Sequence, residues 1–278
     1  MSGKLGLLYI VATPIGNRDD MSFRAVQVLQ NVAKIAAEDT RHSLPLLQYF
    51  NIATPLMSLH EHNEAGRIEA ILSVLQQGQS VALISDAGTP LISDPGFHLV
   101  KTVRARGFQV VPVPGACAAI AALCASGLAT DRFQFEGFLP VKTKARSDRL
   151  EGLKTATATL IFYEAPHRIL ELLQAMQTVF GADRVVVIAR ELTKLFETIH
   201  SGVLSDVISW MEQDANQQRG EIVVLVSGAK ESLTENKEGE KILKILLAEL
   251  PLKQAVDLAA KITGGRKNEL YELALSLR

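Results

Sequence analysis

The apolar run Val81-Ala82-Leu83-Ile84 stops abruptly at a twelve-residue segment, Ser85-Asp86-Ala87-Gly88-Thr89-Pro90-Leu91-Ile92-Ser93-Asp94-Pro95-Gly96. The run has the composition of a buried strand. The segment holds two Asp, two Pro and two Gly, which cannot continue a strand, and Pro90 and Pro95 bias the residues before them away from helix. It is a shaped loop at the carboxyl end of a strand. In open α/β sheets ligands bind at that edge, and loops on a rigid scaffold often carry function. An ordinary strand-to-helix connection is the competing reading; twelve such residues together favour a site.

The segment sits inside a regular alternation. Leu5 to Ala12, Leu56 to Leu59 and Phe108 to Pro112 read as further strands. Ser22 to Val32 (with Ser22 as cap), Glu64 to Gln77, Phe97 to Arg106 and Ala116 to Ser126 read as helices. Such alternation predicts a mostly parallel sheet covered on both faces. The rhythm breaks between Gly127 and Pro140, which reads as a domain boundary. Beyond it, Thr159 to Tyr163, Arg184 to Ala189 and Glu221 to Val226 are strand-like, with helices at Pro166 to Thr178 and Leu204 to Glu212. The polar stretch Lys230 to Lys241 reads as a linker. Short helices split by Pro251 and Gly264-Gly265 follow, in a helix-turn-helix outline or a small packing appendage. The expected layout is therefore an α/β domain over 1–126, a second α/β domain over 127–229, a linker over 230–241 and a helical domain over 242–278.

A chain of 278 residues has room for about two domains. Hydrophobic content of 47% and a mean hydropathy of +0.16 fit a well-cored soluble protein. No apolar stretch reaches the ~18–20 residues of a membrane span, and Met1 to Gly6 lacks a signal-peptide layout. Cys117 and Cys124, seven apart in a helix-like stretch, would lie about 10 Å apart along a helix axis, too far for a disulfide. They read as small buried core residues, and the expected compartment is the cytoplasm. The net charge of −1 does not advertise nucleic-acid binding. However, Lys142, Lys144, Arg146, Arg149 and Lys154 cluster against Asp148 and Glu151, either as a solvated helix face or as a phosphate-contacting patch.

Several chemistries are absent from the pattern. There is no G-x-G-x-x-G after the first strand, no P-loop, no H-E-x-x-H or Cys/His zinc spacing and no G-x-S-x-G elbow. His60-Glu61-His62 reads as a surface histidine pair. Two more shaped loops do occur: Thr13-Pro14-Ile15-Gly16-Asn17 after the first strand, and Val113-Pro114-Gly115-Ala116 after the Phe108 to Pro112 strand. None of the three loops contains Lys or Arg, though Arg18 directly follows the first. A pocket of backbone groups with Asp86 and Asp94 suits a cationic ligand better than a phosphate, and S-adenosylmethionine is such a ligand.

Five segments together carry a resemblance. Tyr9 to Asn17, Ala37-Glu38-Asp39-Thr40-Arg41, Ser85 to Pro90 with Ser93 to Gly96, Phe162 to Arg168, and Arg190-Glu191-Leu192-Thr193-Lys194 closely resemble the tetrapyrrole methylase (class III methyltransferase) family, in particular its members that act on ribosomal RNA. The likeness runs from about Leu5 to Ser227, and the tail from about Leu250 is similar to their small helix-turn-helix-like domain. The chain departs from the family pattern at Arg18 and at Gly115-Ala116-Cys117. The resemblance implies two α/β domains with the methyl donor S-adenosylmethionine in the cleft between them, no metal, no membrane association and a homodimer. It implies 2′-O-methylation of a cytidine ribose in the decoding region of 16S rRNA within the small ribosomal subunit. Carried over by motif, the donor would contact Pro14, then Ser85, Asp86, Ala87, Gly88, Thr89 and Pro90 with Ile92 and Asp94, then Ala116. The second domain would add Tyr163, Leu192, Gly220 and Glu221.

Transfer from a sulfonium is an in-line displacement, with the attacking hydroxyl about 3–3.5 Å from the methyl carbon. A ribose hydroxyl is a poor nucleophile, so an acceptor for its proton would help. Glu164 and Glu191, at strand ends of the second domain, are the candidates, with Arg190, Lys194 and Arg168 on flanking phosphates. The competing reading of all five is a set of ion pairs joining the domains. For the whole chain the alternatives are methylation of a tetrapyrrole or other small molecule, and a non-catalytic RNA-binding role.

Overall fold

The computed structural model describes residues 5–60, 63–229, 233–263 and 267–277. Its contacts divide the chain into two compact units, Met1–Glu151 with Thr159–Ser227, and Gly152–Ala158 with Gly228–Arg278. Glu61, His62 and the Gly264-Gly265 turn lie outside the described residues.

The first unit contains two five-stranded sheets. In chain order the first sheet and its helices are β1 (Leu8–Val11), α1 (Phe23–Asn31), β2 (Lys34–Ala37), α2 (Thr40–Tyr49), β3 (Leu56–Ser58), α3 (Glu64–Gln76), β4 (Val81–Ile84), α4 (Phe97–Ala105), β5 (Val110–Val113) and α5 (Ala118–Ser126). Every pairing in this sheet is parallel, in the order β3-β2-β4-β1-β5. Its central strands bury both faces, which explains why β4 reads as an unbroken apolar run. One face packs on α3 and α4 through Ile71, Leu72, Leu75, Leu99 and Val103. The other packs on α1 and α2 through Ala25, Leu29 and Leu47. Ser22 caps α1, its side chain accepting the Ala25 N–H, as its residue type and position suggested.

The order of the strands places the site. Since β1 lies between β4 and β5, the loops leaving the carboxyl ends of those three strands are neighbours although far apart in sequence.

The second sheet comprises β6 (Phe133–Phe138), β7 (Thr159–Glu164), β8 (Val185–Arg190), β9 (Thr198–Val203) and β10 (Ile222–Val226), with α6 (Thr143–Leu153) after β6, α7 (Ile169–Phe180) after β7 and α8 (Leu204–Gln213) after β9. The order is β6-β7-β10-β8-β9, and only β6 with β7 is parallel. Three strands were not legible in the sequence: β2 of the first sheet, a four-residue Lys34-Ile35-Ala36-Ala37 strand poor in β-branched residues, and β6 and β9 here. The segment read as a boundary holds β6, whose glycine at 137 sits at a register shift, and β9 alternates weakly because it is an edge strand. Helix α5 packs on this second sheet, with Ala119, Ala122 and Leu123 against Ile161, Val187, Ala189, Val223 and Leu225. The helix begins at Ala118 rather than Ala116. Cys117 precedes it half-buried, and Cys124 is exposed rather than in the core.

In the second unit, α9 (Leu233–Glu249), α10 (Leu252–Thr263) and α11 (Lys267–Ser276) gather Leu243, Ala255, Val256, Ala259, Leu270 and Ala274 into one core. The expected linker is corrected here: from Leu233 onward it is the first part of α9. Glu and Lys are good helix formers, so a polar stretch is not thereby a linker. Among the described residues no helix is long and apolar enough to cross a membrane.

Candidate active site

Three strand-end loops are tied into one wall. Thr13 and Gly88 form an antiparallel bridge, with Thr13 N–H donating to Gly88 O (2.8 Å) and Gly88 N–H to Thr13 O (3.1 Å). The Thr89 hydroxyl then donates to the Ala116 carbonyl (2.9 Å), joining the second loop to the third. Gly88 has φ +78°, the left-handed conformation that glycine adopts without steric cost. Five described non-glycine residues have positive φ: Asn51, Leu91, Ser93, Glu191 and Thr193. Four of them lie in the Ser85 to Gly96 loop or in the segment after β8, and strain of this kind clusters at functional sites.

These loops face the carboxyl ends of β7 and β8 and the start of β10 across a cavity of about 430 Å³, within the range of small-molecule sites. Its first-sheet side is Ile15, Glu38, Asp86, Ala87, Gly88, Thr89, Ile92, Ser93 and Asp94, with Cys117 and Ala118 at the head of α5. Its second-sheet side includes Phe138, Tyr163, Glu164, Leu192, Gly220 and Glu221. Every ionisable side chain with a formal charge among the lining residues is acidic: Glu38, Asp86, Asp94, Glu164 and Glu221.

Tyr163 joins the two sides. Its hydroxyl oxygen accepts the Ala119 N–H (3.1 Å), one of the unpaired donors of the first turn of α5. Its ring meets Phe135 and Phe138 edge-on, at 5.0 and 5.6 Å between centroids. Burial pushes its phenol well above the usual tyrosine range. Burial also pushes the Asp94 carboxyl up to about 6; a hydrogen bond with Ser85 opposes the rise and the Asp86 charge adds to it.

Eleven of the eighteen expected site residues line this cavity: Asp86, Ala87, Gly88, Thr89, Ile92, Asp94, Tyr163, Glu164, Leu192, Gly220 and Glu221. Pro14 and Ser85 line a smaller neighbouring cavity instead. Ala116 acts behind the wall through its carbonyl, and Pro90 is buried within the loop.

The remaining candidates are held elsewhere. Arg190 is buried, its guanidinium donating to the carbonyls of Arg219 and Phe196 and to the Thr198 hydroxyl, so it organises loops and is not presented to phosphate. Glu191 Oε1 accepts the Glu221 N–H (2.9 Å) and the Lys194 ammonium (2.9 Å), and Lys194 also pairs with Glu221 (3.2 Å). Partial burial opposes ionisation of Glu191, yet these partners hold its carboxyl below the usual range. Lys194 is raised despite the opposing effect of burial, through Glu191 and Glu221. Glu164 does reach the cavity. Its Oε1 accepts the Ala165 N–H (2.8 Å), while Oε2 lies 3.2 Å from Arg168 and is a buried acceptor without a hydrogen bond. Arg168 donates to the Leu139 carbonyl (3.0 Å). The basic stretch is likewise partly committed: Arg146 is buried against Glu171, and Arg149 makes two bonds to Glu136 (2.7 and 2.9 Å).

Sequence reasoning missed Glu38, Ser93 and Phe138. Glu38 directly follows β2, a strand the sequence reading also missed, so its one signal was the Ala37 to Arg41 segment that carries the family resemblance. Phe138 lies on the unrecognised β6.

A parallel sheet whose adjacent strand-end loops meet a second, mixed sheet across a cavity is the fold of the class III methyltransferases. Solved structures of a diphthine synthase (TM-score 0.60, 14% identity, covering 80% of this chain and 90% of that one) and of a uroporphyrin-III-C-methyltransferase from Thermus thermophilus (TM-score 0.57, 19%, 80% and 94%) share the fold. A family model described as tetrapyrrole (corrin/porphyrin) methylases matches residues 7–208, and one described as the RsmI C-terminal HTH domain matches 234–278. The proteins named ribosomal RNA small subunit methyltransferase I from Pseudomonas aeruginosa (59% identity, 97% of each chain), Haemophilus influenzae (50%, 99% of each) and Escherichia coli O157:H7 (52%, 97% of this chain and 95% of that one) are similar along nearly their full length. The chain belongs to the tetrapyrrole methylases, in the ribosomal RNA small subunit methyltransferase I group, and it is a methyltransferase.

Proposed function

We propose that the protein transfers the methyl group of S-adenosylmethionine to the 2′-hydroxyl of a cytidine ribose in the decoding region of 16S rRNA. The observation that carries this reading is the acidic cavity of about 430 Å³, in a chain 50–59% identical to small-subunit rRNA methyltransferases. The residues present fit the donor. Asp86 and Asp94 are carboxylates that suit an ammonium and sugar hydroxyls, whereas Glu164 reaches the cavity already ion-paired with Arg168 (3.2 Å). Ile15, Phe138, Tyr163 and Leu192 supply apolar and aromatic surface for a nucleobase. When bound, S-adenosylmethionine supplies a methyl group already activated on a sulfonium.

The protein's task is then placement. The Thr13–Gly88 bridge and the Thr89–Ala116 bond keep the first-sheet wall rigid. Glu191 and Lys194 hold the Gly220-Glu221 backbone in position on the opposite side, so Glu191 is a positioning residue. The reading extends to a homodimer acting on the small ribosomal subunit in the cytoplasm, with exposed Lys142 and Lys144 among its phosphate contacts.

The test is transfer of labelled methyl groups to 30S particles lacking the modification, run beside uroporphyrinogen. Label in RNA alone supports the reading. Label in the tetrapyrrole alone would replace it with small-molecule methylation, and RNA binding without transfer would make the protein a non-catalytic factor.

A further inference from the structure

A second cavity of about 160 Å³ adjoins the first. It is formed by Thr13, Pro14 and Gly16 of the first loop with Arg18, His42 and Asp86. Among the described residues, Asp86 is the one that lines both cavities. The charged side chains of the two differ: those lining the larger are all acidic, whereas in the smaller Asp86 is joined by Arg18 and His42. Adjacent pockets of opposite preference that share one carboxylate suit a reaction between a cation and a polyanion.

The shared carboxylate is held in place. Asp86 Oδ1 accepts the Asp39 N–H (3.1 Å) at the start of α2. A carboxylate has about four lone-pair sites, so one such bond does not exhaust it. Arg18 is exposed, and its guanidinium lies 4.6 Å from the centre of the Tyr49 ring, a contact that orients the planar fork. At about 160 Å³ the cavity is well under half the volume of its 430 Å³ neighbour, a size that favours a small polar group such as a sugar-phosphate over a second large ligand.

Resting on the functional reading above, we propose that the smaller cavity seats the sugar-phosphate of the acceptor nucleotide, with Arg18 on a flanking phosphate and Asp86 taking the proton of the reacting hydroxyl. An O–C bond forms as the methyl carbon–sulfur bond breaks. Sulfur keeps that electron pair and becomes a neutral thioether, and the hydroxyl proton passes to the Asp86 carboxylate. Asp86 is better placed for this than Glu191, which is clamped by Lys194 and the Glu221 N–H, or Glu164, which is held by the Ala165 N–H beside Arg168.

The experiment is single-turnover methylation of unmodified 30S particles by the full-length protein, with donor affinity measured by calorimetry. Arg18→Ala should leave donor affinity within about twofold and raise the half-saturating 30S concentration about tenfold. It should also reduce the slope of log affinity against log salt by about one. Asp86→Asn should slow transfer about 10²–10⁴-fold with donor and 30S both saturating. Unchanged 30S saturation and salt slope for Arg18→Ala, or an unchanged transfer rate for Asp86→Asn, would overturn the proposal while leaving the functional reading intact. If Asp86→Asn fails to fold or bind donor, the exposed Arg18 variant still decides the pocket. If the wild type transfers no methyl group to RNA, the functional reading falls and this proposal falls with it.

Discussion

Replacing Gly220 by alanine probes the cavity's second-sheet wall at its tightest point. Gly220 has φ +81°, and a Cβ there would lie 2.6 Å from Glu191 Cγ and closer still to the carboxylate. An L-residue in the left-handed conformation costs about 1–2 kcal/mol. Displacing Glu191 gives up its hydrogen bonds to the Glu221 N–H and to Lys194, each about 1.5–3 kcal/mol when charged and well formed. Lys194 and Glu191 are partly exposed, which cuts the ion pair itself to ~0–1 kcal/mol, and a glutamate swung into water recovers part of its solvation. The net loss is therefore about 2–4 kcal/mol, or about 4–16 °C in Tm for a unit of this size. Because Gly220 and Glu221 both line the cavity, donor affinity should fall about tenfold or more. Thermal melts followed by circular dichroism, with calorimetric donor titration, read both effects. Gly152→Ala in α6, where a Cβ meets nothing within 4 Å, serves as control and should stabilise by about 0.5–1 kcal/mol. A Gly220→Ala protein with wild-type melting and donor affinity would refute the reasoning that Glu191 organises this wall.

Three further outcomes follow from the same geometry. Since burial lifts the folded-state carboxyl of Asp94 to about 6, above an unfolded value of ~3.9, its contribution to stability declines as pH rises from about 4 through about 6. The cavity gains negative charge over the same range, so affinity for a cationic donor should rise there; Asp94→Asn should flatten that profile, and a profile unchanged by the substitution would count against it. Thr89→Val removes the bond to the Ala116 carbonyl, an unpaired acceptor costing about 1–3 kcal/mol, and calorimetry should show donor affinity weakened by about tenfold. Glu191→Gln should weaken donor binding yet retain the single-turnover rate at saturating donor, whereas loss of that rate would restore Glu191 as the proton acceptor.

Four of the five strands of the first sheet, all but β2, were legible because their physics is local. Buried parallel strands must be apolar, and the Gly and Pro that end them mark the ligand edge, so three loops distant in sequence could be assigned to one pocket. The acidic lining followed from the same reading, with Asp86 and Asp94 both in the cavity wall. The second sheet was harder to read because β6 is interrupted at Gly137 and β9 is exposed at an edge, so neither shows a clean alternation. The roles of the charged residues were least legible. Whether Arg190 meets phosphate or the carbonyls of Arg219 and Phe196 depends on how two loops fold back on it, and residue type carries no record of that. Arg146 repeats the point: it belongs to a basic run in sequence, yet it is buried against Glu171.

The most direct test of the account is nucleoside mass spectrometry of 16S rRNA after the purified protein has acted on unmodified 30S particles with S-adenosylmethionine. The account predicts one new 2′-O-methylcytidine, in the decoding region. A methyl group on a base, or no methylated nucleoside at all with donor bound, would contradict it.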